Sequence, residues 1–227
     1  MKAMRSLGLL VAVAILLSLL LSASNVEASK PPVPIVDPST QPFGRSYGQW
    51  SVEWWQWLLS LPADNNPLFE QGRVDCSRGA AGPVWFLAGA MGSGTYNRTC
   101  TVPNNVGLFI PVTNAIVFAT EKGETYKKML TDATNYLNTA YDIRADVDGV
   151  PVGNLDRYRA TSPGPFTINS PEDGLLGLGT FEPSASDGYY LMLAPLSPGQ
   201  HTIHVHAMWP GNEQPMDVTF HLNVTAK

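Results

Sequence analysis

His201-Thr202-Ile203-His204-Val205-His206-Ala207-Met208-Trp209 is the stretch that decides the fold class of this chain. Ile203, Val205 and Ala207 alternate with Thr202, His204, His206 and Met208, and a period of two belongs to a strand with one buried face. The run Met216 to Thr225 repeats the pattern, with Val218, Phe220, Leu222 and Val224 set against Thr219, His221 and Asn223. Pro210 to Pro215 separates the two runs. They predict an antiparallel hairpin whose apolar face points into a core.

Strand signals continue upstream. Tyr189 to Leu193 is an apolar run before the turn Ser197-Pro198-Gly199. Ile143 to Val147 meets Asp148-Gly149, a strong two-residue hairpin signal, and Val150 to Val152 and Leu155 to Arg159 are expected to return along it. Thr161 to Ser186, rich in Pro and Gly, is expected to be a long irregular loop. Val84 to Ala88 and Val106 to Val112 read as short buried strands, and Gly89 to Gly94 as a glycine-rich turn.

Two segments have a helical period instead. Trp50, Trp54, Trp57, Leu58 and Leu61 share one face and predict a helix near 48–61, with Ser46 or Ser51 as its cap. Val52, Trp55 and Leu59 make it apolar almost all round, so it is expected to be buried. Tyr126, Met129, Ala133, Tyr136, Leu137 and Ala140 form one stripe of a second helix near 121–141. The whole predicts an α+β domain over 47–227. Its body is a mainly antiparallel β-sandwich, Ig-like or jelly-roll-like, with two packed helices.

The N-terminus adds a destination. Lys2 and Arg5 precede an uncharged apolar run, Gly8 to Leu21, and Val26-Glu27-Ala28 supplies small residues at a cleavage point. That order predicts a signal peptide over 1–28 and a secreted protein, extracellular or periplasmic. The apolar core is shorter than the roughly 18 residues a span requires, so no stable membrane anchor is expected. Residues 29–46 read as a Pro-rich N-terminal arm with polyproline character. In an oxidising compartment Cys76 and Cys100 predict a disulfide.

The chain carries 14 Lys and Arg against 19 Asp and Glu, a net charge of −5. No basic cluster could neutralise a row of phosphates, so nucleic acid is excluded as a partner. No nucleophile elbow, phosphate loop, zinc-protease or dinucleotide motif is present. Catalysis is therefore undecided and disfavoured. Asn97-Arg98-Thr99 and Asn223-Val224-Thr225 are sequons, read here as chance occurrences.

Three groups of residues are candidates for chemistry. With Trp209 opposite Met216, His204 falls directly opposite His221 and His206 is their neighbour on the same face. Opposed Cβ atoms lie about 5 Å apart and diagonal ones about 7–8 Å. His204, His206 and His221 could then share one metal ion, zinc or copper, with an open position of the catalytic kind. A slip of two residues would pair His204 with Thr219 or Asn223 and separate the set. His201 points inward and is structural. Trp50, Trp54, Trp55 and Trp57 form either an aromatic core or a sugar platform, the platform being Trp54-Trp55. Glu53 is a general acid if buried; otherwise it pairs with an Arg such as Arg98 or faces water.

Several motifs occur together: Trp50-Ser51-Val52-Glu53-Trp54-Trp55-Gln56-Trp57, Asn66-Pro67, Val84-Trp85-Phe86-Leu87-Ala88-Gly89, Arg98-Thr99-Cys100-Thr101-Val102-Pro103, Asp187-Gly188-Tyr189-Tyr190 and Leu196-Ser197-Pro198-Gly199-Gln200-His201-Thr202-Ile203. The chain resembles a family of exported microbial proteins in these motifs, over roughly Tyr47 to Val205. The resemblance implies a secreted single-domain protein and brings no activity with it. Three functional readings follow. The first is a secreted β-sandwich protein of binding or structural type without catalysis. The others are a metal-dependent extracellular enzyme built on the histidines, and a carbohydrate-binding module, with an extracellular ligand or glycan as partner.

Overall fold

The alternating C-terminal runs build the centre of one of two sheets in the computed structural model, which describes residues 35–119, 121 and 123–227. The segment read as a signal peptide and the start of the Pro-rich arm lie outside the described residues. In chain order the first strands are β1 (Gly72–Arg73), β2 (Ala80–Ala81), β3 (Val84–Phe86), β4 (Gly94–Pro103), β5 (Gly107–Phe118) and β6 (Tyr141–Val147). The remainder are β7 (Val150–Pro151), β8 (Arg159–Thr161), β9 (Phe166–Ser170), β10 (Gly179–Leu193), β11 (Gly199–Met208) and β12 (Met216–Thr225). Helix α1 spans Tyr47–Leu59 and α2 spans Tyr126–Leu137.

The first sheet has the order β1-β4-β12-β11-β6-β7 and the second β2-β3-β5-β10-β8, with β9 also paired to β10. Most pairs are antiparallel, but β12 runs parallel to β4 along its full length, and β3 runs parallel to β5. In β11 and β12, Ile203, Val205, Ala207, Val218, Phe220, Leu222 and Val224 are buried, while most of the alternate residues are partly or fully exposed. The first sheet thus has one face on the core and one toward solvent. Strand β5 is buried at eight of its twelve positions, because α1 and α2 pack against the second sheet. The result is a sandwich-like α+β fold with two α-helices among the described residues.

Local chemistry explains the elements. Ser46 and Gln49 form a capping box at the start of α1, each side chain bonding the other's backbone N–H. Trp50 and Trp54 are 0% and 1% exposed, and Trp55 is also buried. The indole of Trp50 donates to the carbonyl of Pro42, that of Trp54 to Leu87, and that of the half-buried Trp57 to Arg78. The aromatic helix is a packed core and presents no open Trp54-Trp55 platform. Asp148 and Gly149 adopt the left-handed backbone (φ 54 and 75) that a two-residue hairpin demands. Cys76 and Cys100 are joined, their Cα atoms 5.9 Å apart, as a bridge requires.

Three expectations fail for physical reasons. Leu155 to Arg159 does not return along β6: Asn154 (φ 50) turns the chain away, Leu155–Tyr158 forms a 3-10 turn, and β8 joins β10 in the other sheet. Thr161 to Ser186 is not irregular, because β9 and the first half of β10 pair within it. Gly94–Pro103, for which the sequence offered no assignment, is a full strand whose mixed polar residues lie on the solvent face. The second helix is shorter than 121–141: Thr125 caps it by accepting from Lys128 N–H, and Asn138 ends it before β6 begins. The end of the Pro-rich arm is also packed, with Val36 donating to the carbonyl of Met192. No helix among the described residues is long and apolar enough to cross a membrane.

Candidate metal centre

The solvent-side face of the first sheet carries the cluster. In the observed register Ala207 pairs with Met216, so His204 lies opposite Thr219, His206 opposite Asp217, and His221 opposite Thr202. On the other flank, β6 places Asp146 opposite His204 and Arg144 opposite His206. The expected His204–His221 pairing is therefore replaced by the alternative two-residue slip. The slip keeps every apolar residue inward, so alternation alone does not distinguish the two registers. In the observed register Trp209 lies beyond the ladder and stacks on Tyr136, with ring centroids 6.4 Å apart. His204 and His206 remain together; His221 is exposed on the same strand face but outside the cluster.

Asp217 takes the place expected of His221. One carboxylate oxygen lies 3.2 Å from His204 Nε2 and the other 2.9 Å from His206 Nδ1. The ligand atoms of His204, His206 and Asp217 all fall within 4.8 Å of one another. A tetrahedral ion with bonds of about 2.0–2.1 Å needs its ligand atoms roughly 3.3 Å apart, so a small closure of the rings suffices.

The outer ring nitrogens are held as well. His204 Nδ1 donates to Asp146 at 2.9 Å, and His206 Nε2 lies 3.0 Å from an Arg144 nitrogen and 3.3 Å from Asp142. Carboxylates on the far nitrogen commonly orient metal-binding imidazoles and raise their basicity. No sequence motif indicated them, since Asp142 and Asp146 come from a strand whose neighbour was not evident.

Without a metal the same contacts fix the protonation states. His204 sits between two carboxylates, so both ring nitrogens face acceptors and the protonated form is favoured. Partial burial pulls its pKa down, but the bonds to Asp146 and Asp217 raise it above the usual histidine value. Asp217 is raised by burial and lowered more by His206 and His204, ending below the carboxylate range. His206 faces Asp217 with Nδ1, and Arg144 and Asp142 with Nε2.

The other candidates have structural posts. His201 is buried, its Nδ1 2.7 Å from Asp148 and its Nε2 2.9 Å from the carbonyl oxygen of Ser197. Glu53 pairs with Arg45 at 2.8 Å and not with Arg98; burial raises its pKa against that ion pair. Arg98 is 1% exposed and donates to the carbonyls of Leu68, Glu70, Ala88 and Gly89. Asn97 and Asn223 of the sequons are both exposed.

No family model matches the chain, and no curated relative does. Among solved structures, a cysteine protease inhibitor from Entamoeba histolytica matches 63% of this chain and 96% of its own. Its identity is 11% and the TM-score 0.26.

Proposed function

We propose that this chain is an exported β-sandwich protein of the binding type, and that its outer sheet face binds a divalent transition-metal ion, zinc or copper. The leader pattern of residues 1–28 and the disulfide support export, since such bridges persist in oxidising compartments. One observation carries the metal reading. The inner nitrogens of His204 and His206 converge on Asp217 while carboxylates hold their outer nitrogens. Two imidazoles and one carboxylate suit zinc and copper(II) better than the hard ions that prefer all-oxygen sites. The buried Trp54-Trp55 pair gives no support to a carbohydrate platform.

The test is calorimetric titration of chelator-stripped mature protein with zinc and with copper(II). One ion per chain is expected, with binding lost in His204→Ala, His206→Ala and Asp217→Ala and kept in His221→Ala. Binding that survives all three losses, or that needs His221, overturns the assignment.

A further inference from the structure

Apart from the histidine face, the fold contains a cavity of about 350 Å³ lined from α1, β5, α2, the Gly89–Gly92 loop and the tip of the β11–β12 hairpin. That volume lies in the range of small-molecule sites. Trp54, Trp55 and Val112 belong to its buried lining, and the exposed Met91 and Tyr136 to its rim. The Tyr136–Trp209 stack stands beside them.

Two features of the lining select a ligand. None of the described lining residues is Asp, Glu, Lys or Arg. A charged guest would lose its hydration with no counter-charge to replace it, so the site favours a neutral one. The lining also carries buried polar atoms without hydrogen-bond partners: Trp209 Nε1 and Thr113 Oγ1. Trp55 Nε1 and Asn114 Nδ2 lie against the buried Tyr190 hydroxyl, which serves them as an internal partner. Buried polar groups are ordinarily satisfied. Indole N–H groups only donate, so the missing partner is an acceptor.

We infer that this cavity binds a neutral, planar molecule of one or two aromatic rings bearing a carbonyl oxygen. The flat apolar walls of Trp55, Trp209 and Phe118 take the rings, and the indole N–H of Trp209 and the hydroxyl of Thr113 take the oxygen. The site is independent of the metal centre.

Calorimetry in the presence of EDTA, which removes metal ions, tests it with acetophenone, coumarin and 2-naphthaldehyde as probes and benzoate as the charged comparison. Saturable one-site binding of at least one carbonyl probe is expected, with none for benzoate. Thr113→Val removes one donor with little change of shape, Trp209→Phe removes the other together with part of the ring, and each is expected to weaken binding roughly three- to tenfold. Ala90→Trp, which fills the cavity from its lining, is expected to abolish it; circular dichroism confirms that each variant folds, and the two conservative variants carry the test if Ala90→Trp does not. No saturable binding by any carbonyl probe overturns the inference. So does equal binding of benzoate, or affinity unchanged in both Trp209→Phe and Thr113→Val.

Discussion

His206 and Asp217 face each other directly across the β11–β12 pair, with the imidazole Nδ1 2.9 Å from the carboxylate Oδ2. Since the other oxygen of Asp217 reaches His204 two residues along β11, one carboxylate gathers two imidazoles. Asp146 then holds Nδ1 of His204 from the opposite side. In the proposed metal site the two carboxylates have different tasks: Asp217 would be a ligand, whereas Asp146 would only orient one.

That division gives the first prediction. Asp146→Asn is expected to lower zinc affinity about 10- to 100-fold, the usual cost of losing an orienting partner, without abolishing it. Asp217→Asn is expected to reduce binding below detection in the same titration. Equal effects of the two variants would mean that Asp146 is itself a ligand or that neither residue serves the metal.

The protonation states set a pH dependence. The raised pKa of His204 means its ion pairs stabilise the metal-free fold fully below the ordinary histidine value of about 6.5. That stabilisation disappears as pH rises through the raised value. Asp217, held below the ordinary carboxylate value, contributes above about pH 4 and loses its contribution as pH falls through its depressed value. The melting difference between the metal-free parent and His204→Gln should therefore be largest between about pH 4 and 6.5. Metal competes with the proton on His204 Nε2, so the zinc-induced rise in melting temperature should follow the opposite course and grow from pH 5.5 to 8. A zinc effect independent of pH would exclude His204 from the site.

How much of this was legible follows from what a period of two can encode. Alternation placed Ile203, Val205, Val218 and Phe220 inside and His204 and His206 on one outer face, as found. It cannot fix register to better than two residues, because a slip of two leaves every apolar side chain buried. The pairing with His221 was lost there, and Asp217 entered in its place. Asp146 and Arg144 were placed in a strand, but the neighbour of that strand depends on topology, which residue patterns do not carry. Helix α1 was legible because its Trp spacing and its Ser46 cap agree. Strand β10 was half hidden because Pro and Gly in Thr161–Ser186 signal loops, whereas here they lie in and beside paired backbone.

Arg98 yields a stability prediction. Its buried guanidinium satisfies four carbonyls and lies 5.3 Å from the ring of Phe220, and burial pulls its pKa down to about 10. A stranded buried acceptor costs about 1–3 kcal/mol. Arg98→Ala should therefore cost at least about 3 kcal/mol in denaturant unfolding. Arg98→Lys should recover only part of this, since an ammonium cannot span the carbonyls that a planar fork reaches. Wild-type stability in Arg98→Ala would show that solvent replaces the guanidinium freely.

Trp54 yields the last prediction, and it separates packing from hydrogen bonding in the aromatic helix. The side chain is 1% exposed, packs edge-on to Trp55 with centroids 4.9 Å apart, and donates to the carbonyl of Leu87 at 2.9 Å. Trp54→Ala deletes both contributions and should cost about 3–5 kcal/mol, as large-to-small core changes do. For a domain of this size that corresponds to a fall of roughly 6–20 °C in melting temperature. Trp54→Phe keeps most of the ring and strands only the Leu87 carbonyl, so its cost should be about 1–3 kcal/mol. Thermal and denaturant unfolding of the two variants beside the parent measure the difference. If Trp54→Phe matched Trp54→Ala, the hydrogen bond to Leu87 would dominate over packing, and if neither differed from the parent, α1 would not be part of the core that holds the sandwich together.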